Sequence, residues 1–310
     1  MAYSTGTANT LEDLRTALIN ACTAEGWTWD AGNEVLHKTP LFLRIQIGAK
    51  GLIFLGRTGL TSGGAPRTVR MGDLLNVSGN PTYEITFPAV WRAFVFSDEV
   101  YFVVNYDVDR HQWCAFGQST VPGLPGSGMW IAATGGYASS NQYNASAPFG
   151  ITATGGAEGH NNKVTGALFW STDPGFSAPG RNFFVHSDLD GDGWYTANAS
   201  PTDSSGPAIS ALVPLIGLLP NAWNSEAVLL PVRAYKRRPE NRISLIVDLE
   251  HARHTRVDNY TAGQIITIGS DRWMTFPYHR KNTRVRNGGA LIAGIDHTGT
   301  FGWAIRYEGP

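Results

Sequence analysis

The chain has 310 residues, with 24 basic and 25 acidic side chains and a formal net charge of −1. Only 16% of residues are charged while 11% are aromatic, which excludes a disordered chain and a coiled coil, since both need charge-rich composition. The near-zero charge also removes the electrostatic basis for nucleic-acid binding, which draws on phosphate neutralisation.

The 36 glycines and 17 prolines exceed their usual combined share of about 12% and point to short strands with turn-rich loops. Two cysteines, Cys22 and Cys114, cannot form a disulfide framework or a cysteine zinc site, and are expected as buried small hydrophobes. Residues 1–15 lack a basic region followed by an apolar run, so no signal peptide is expected. The most apolar stretch, 211–232, is broken by Pro214, Pro220 and Pro231, short of the ~20 residues a membrane helix needs. A soluble protein made in a cytoplasm, without membrane insertion, is the expectation.

The first predicted element is a helix. Asn9 or Thr10 caps it, Glu12 and Asp13 sit in the first turn, and Leu11, Leu14, Leu18, Ala21 and Cys22 share one face before Gly26 ends it. From Trp27 the period changes to two. Short strands follow at Trp27 to Trp29, at Val35 to His37, at 41–47 and at 51–55. Two aromatic, β-branched runs, 91–96 and 100–104, flank the turn Ser97-Asp98-Glu99 as a hairpin, and 112–116 completes a meander. Their unbroken apolar character implies that both faces are covered.

Residues 118–206 read as a loop-rich insertion with one faint repeat, Ile131 to Gly136 echoed at Ile151 to Gly156. Short strands return at 227–234, 242–249, 264–268, 272–276, 290–294 and 300–307. The fold class is α+β, predominantly β: an N-terminal amphipathic helix packed on antiparallel sheets, with a β-sandwich-like body and long loops. The organisation is 1–117, 118–206 and 207–310, with the first and last forming one compact body.

Asp188, Asp190 and Asp192, followed by Gly193, match the opening of an EF-hand-type loop, where alternate carboxylates wrap oxygens around Ca²⁺. Position 12 is Ala199 rather than a bidentate Glu, so a plain Asp/Gly turn is the competing reading. His251 and His254, beside Asp248 and Asp258, have metal-ligand spacing on a helix, but the strand before them places them on a polar turn. The basic run Lys236-Arg237-Arg238, and Arg280, Lys281, Arg284 and Arg286, read as a solvated turn or as charges facing a neighbouring subunit. Asp98, Glu99, Asp107 and Asp109 could supply a glycosidase's carboxylate pair. The usual nucleophile-elbow, zinc-protease, P-loop and dinucleotide motifs are absent, so no enzyme is expected. Tyr137 and Tyr143, in a loop rich in Gly, Ser and Asn, are the candidates for a binding surface.

Several segments carry a resemblance. Residues 1–14 with 21–29, the aromatic hairpins at 86–91 with 101–105 and at 266–270 with 273–276, and the ending 301–307 are similar to a group of tailed-bacteriophage virion proteins. The resemblance implies a structural subunit of the tail, in the tail-tip or baseplate region, located in the virion after synthesis in the host cytoplasm. Its partners would be other tail proteins and copies of itself, with no catalytic residues and no required cofactor. The alternatives are a carbohydrate- or host-receptor-binding module that contacts host surface glycan, and a tail-associated glycan-cleaving enzyme.

Overall fold

The computed structural model describes residues 1–72, 84–108, 110–137, 181–195, 228–257, 260–278 and 301–310. It is predominantly β, with one α-helix among these residues. The chain opens with strand β1 (Ala2–Ala8), which pairs antiparallel with β7 (Ala89–Val95). Sequence reasoning misses β1, because Ser4, Thr5, Gly6 and Thr7 give no apolar alternation. Helix α1 (Leu11–Thr23) follows, capped reciprocally: Thr10 Oγ1 accepts the Asp13 amide at 3.0 Å and Asp13 accepts the Asn9 amide at 2.9 Å. Gly26, at φ 83, turns the chain away and lets the Trp27 amide bond back to Cys22.

Four short strands, β2 (Thr28–Asp30), β3 (Val35–Lys38), β4 (Leu41–Ile47) and β5 (Leu52–Arg57), form successive antiparallel pairs, and β6 (Val69–Met71) extends them. Strands β7, β8 (Glu99–Asp107) and β9 (Arg110–Gln118) make the meander read from the aromatic runs. Three further strands lie in the stretch read as loop-rich: β10 (Met129–Tyr137), β11 (Arg181–His186) and β12 (Trp194–Tyr195). Strand β10 pairs with β9 along Met129–Ala133, with β11, and with β6 through Gly135 and Gly136. It thereby joins the β2–β6 strands to the meander in one 12-stranded, half-barrel sheet.

The second sheet has five strands, in the order β13 (Leu230–Arg237), β14 (Ile243–Arg256), β17 (Phe301–Arg306), β16 (Asp271–Pro277) and β15 (Ile265–Ile268). Alternation along the meander serves two cores. Phe102, Val104, Cys114, Phe116 and Ile131 share one cluster with Leu14, Leu18 and Cys22 of α1 and with Leu43, Ile45 and Phe54. The intervening Tyr101, Val103, Trp113 and Trp130 share the other cluster with Ile246, Phe276, Trp303 and Ile305 of the second sheet. Trp113 and Trp303 meet across this second core with ring centroids 5.1 Å apart, and Phe94 meets Phe276 edge-on at 6.1 Å. Among the described residues no helix is long and apolar enough to cross a membrane.

Candidate functional site

One polar cluster lies where the two sheets meet. Glu99 begins β8, is 1% exposed, and sits opposite the middle of β14. Its carboxylate accepts the backbone amides of Glu250 and His251, each at 3.0 Å, and the Tyr101 hydroxyl at 2.7 Å. Burial raises its pKa above the ordinary carboxylate value, against the opposing pull of Tyr101, His251 and the two amides. Next to it, Asp98 lies 3.7 Å from His251 Nε2, and the His251 ring stacks on Phe96 at 3.8 Å and 4°. The bond to His251 holds the Asp98 carboxyl below its usual range.

This corrects the reading of residues 250–254 as a polar turn. They continue β14, and on a strand His251 and His254 point to opposite faces, so the two imidazoles do not converge on a metal. His254 is buried with its Nδ1 on the Tyr278 hydroxyl, and burial lowers its pKa to about 3. Of the carboxylates considered as a glycosidase pair, Glu99 is consumed by the sheet contact and Asp107 is exposed beside Arg110 at 3.8 Å. Asp109 lies outside the described residues.

A second polar centre lies between β11 and β12, in the loop read as a calcium motif. Asp188 and Asp190 adopt left-handed backbone at φ 46 and 60, as do Gly191 and Gly193 at φ 78 and 66, curling the loop on itself. The oxygens so gathered face basic side chains of the second sheet. Lys236 Nζ lies 2.7 Å from Asp192 and 3.8 Å from Asp190, donates to the Leu189 carbonyl, and stands 5.7 Å from the Tyr195 ring centroid. Arg238 donates to both Asp190 oxygens, at 2.7 and 3.1 Å, and this bond lowers the Asp190 carboxyl and raises the guanidinium.

Of the three carboxylates read as calcium ligands, those of Asp190 and Asp192 are engaged by cations of the chain itself. Lys236 and Arg238, read as a solvated turn, are the partners; the Lys236 side chain is only 3% exposed. Among the described residues no three His, Cys, Asp or Glu side chains group as a metal site. Tyr137 is the last residue of β10, opposite Arg181 in register. Tyr143 and the basic residues Arg280, Lys281, Arg284 and Arg286 lie outside the described residues.

Residues that sequence reasoning overlooks complete the neighbourhood. His186 Nδ1 accepts the Ser127 amide at 3.0 Å and lies 3.0 Å from Ser127 Oγ, clipping the β9–β10 connection to the end of β11. Burial lowers the His186 pKa, with Asp188 opposing the shift. Half-buried Trp194 lies 5.1 Å from the His186 ring and donates its indole N–H to Gly63 O at 3.0 Å. The only advance signal was aromatic residues directly after an Asp/Gly turn.

Together these groups bind the sheets to each other: an anion of the first sheet rests on amides of the second, and a cation of the second rests on oxygens of the first. No protein-family model and no curated protein sequence matches the chain.

Proposed function

We propose that the chain is a structural subunit of a tailed-phage virion, in the tail-tip or baseplate region, acting through contacts with copies of itself and other tail proteins. In this reading the two sheets form a sandwich-like body with α1 packed against the half-barrel, and the chain works through contacts rather than catalysis. The observation that carries it is the edge strand β15. Ile265 and Ile268 are 40% and 41% exposed, the strand carries no charge, and among the described residues it pairs only with β16. Uncharged apolar edges invite pairing with another chain. The opposite edge, β13, bears Pro231, Arg233 and Lys236, which discourage it. The resemblance of the aromatic hairpins and the weak net charge agree with a surface destined to be covered.

The test is sedimentation velocity on the purified chain over a wide concentration range. Concentration-dependent oligomers that an Ile265→Lys/Ile268→Lys variant abolishes are expected. A chain that stays monomeric throughout and binds host polysaccharide would favour the second reading, a carbohydrate- or receptor-binding module. That reading has one observation in its support: half-exposed Trp194 and Tyr195 flank the carboxylates of the Asp188–Asp192 loop, as in a sugar-stacking platform.

A further inference from the structure

We infer that the loop from Asp188 to Gly193 is a cation cage whose cation is the chain's own Lys236, and that filling the cage locks the second sheet onto the first. Three observations converge. A Lys side chain 3% exposed must have its ammonium fully partnered, since an unpaired buried charge is too costly to keep. Here its partners all come from one short loop: the Leu189 carbonyl, Asp192 at 2.7 Å, Asp190 at 3.8 Å, with the face of Tyr195 as the remaining wall. The mixture of a main-chain carbonyl and two carboxylates is the ligand set of a hard cation.

Second, the loop holds two non-glycine residues, Asp188 and Asp190, in left-handed backbone, a conformation that persists only where surrounding contacts enforce it. The ammonium supplies that enforcement by drawing Leu189 O and the carboxylates inward. Third, the cation arrives from another sheet. Leu189 and Lys236 are 47 residues apart, and Arg238, two residues further along the chain, grips Asp190 from the outer side. The loop therefore closes only when β13 is docked, and β13 is fixed only when the loop is curled.

The experiment uses the full chain with calcium chloride or EDTA as the probe, following melting temperature and hydrogen exchange. The amides of Ser187 and Asp188 bond to Gly193 O at 3.0 and 3.1 Å, and they report loop closure. In Lys236→Met these amides should exchange about tenfold faster or more, while Lys236→Arg retains most of the protection. The unaltered chain should melt identically in calcium and EDTA. Lys236→Met/Arg238→Met, with both internal cations removed, should gain several degrees in calcium. Asp192→Asn, altered on the exposed side of the cage, gives the same loop readout if the lysine variants fold poorly.

Unchanged exchange in Lys236→Met or Asp192→Asn overturns the lock. A calcium-dependent melting shift in the unaltered chain shows that a metal, not Lys236, fills the loop. A double variant blind to calcium removes the cation-cage assignment.

Discussion

The Glu99 carboxylate accepts the amide hydrogen of His251 at 3.0 Å, so the first residue of β8 holds the middle of β14 by its backbone. The same carboxylate takes the Glu250 amide and the Tyr101 hydroxyl, so Glu99→Ala leaves one buried hydroxyl and two part-buried amides without their acceptor. A loss of about 3 kcal/mol is expected, at ~1–3 kcal/mol for each unsatisfied group with partial relaxation. Urea unfolding checks it, and a loss below about 1 kcal/mol would show that water replaces the carboxylate.

Glu99→Gln carries a pH signature. Because burial raises the folded pKa above the ordinary 4.5, the folded chain holds this proton more tightly than the unfolded chain. Its stabilising contribution is complete below pH 4.5 and is lost as pH rises through the folded value. The advantage of the unaltered chain over the Glu99→Gln variant should therefore shrink as pH rises from 4.5 toward neutrality. A pH-independent difference would contradict the buried-carboxylate account.

His254 titrates with the opposite sign. Its folded pKa, about 3, lies below the ordinary 6.5, so its contribution is complete above pH 6.5 and is lost as pH falls toward 3. The steepest loss is about 1.4 kcal/mol per pH unit. His254→Phe should flatten this part of the stability–pH curve, whatever its effect at neutral pH. A His254 carbon-13 shift that titrates near the ordinary 6.5 in the folded chain would refute burial in the neutral form.

Gly56 in β5 is held by the ring that covers it. A Cβ at this position would come within 2.6 Å of Trp194 Cη2 and 3.2 Å of Ile131 Cγ2. Gly56→Ala should lift Trp194, break its bond to Gly63 O and cost about 1–3 kcal/mol, with a red shift in tryptophan emission. In a Trp194→Phe background the cost should largely vanish.

Cys22 and Cys114 are both fully buried, and burial raises both thiols well above their ordinary value. Neither should react with a thiol-disulfide reagent until denaturant is added. Labelling of either in the folded chain would place α1 away from the meander.

The sequence reveals elements whose own side chains build a core, and conceals those fixed by partners elsewhere. Strands β4, β7 and β8 show in the alternation at 41–47 and the runs at 91–104, because each carries its burial in its residues. Strand β1 is polar and is placed by backbone pairing to β7, which leaves no periodic trace. The far half of β14 reads as a turn because Glu250, His251 and His254 look solvent-bound; their strand geometry depends on Glu99 and Tyr278, far away in the chain. The Asp188–Asp192 motif is visible as an oxygen-rich turn, but the nature of its cation is not. That depends on Lys236 and Arg238, which local reading treats as a charge run.

Trp113 on the meander and Trp303 on the second sheet stand 5.1 Å apart with ring planes at 53°. At that spacing two indoles couple as chromophores, and their skewed planes give the coupling a handedness that circular dichroism records. The molecule thus carries a built-in optical gauge of sheet docking. It needs no attached dye, and this pair's contribution is lost in any event that parts the sheets, even one that leaves each sheet's own strands intact.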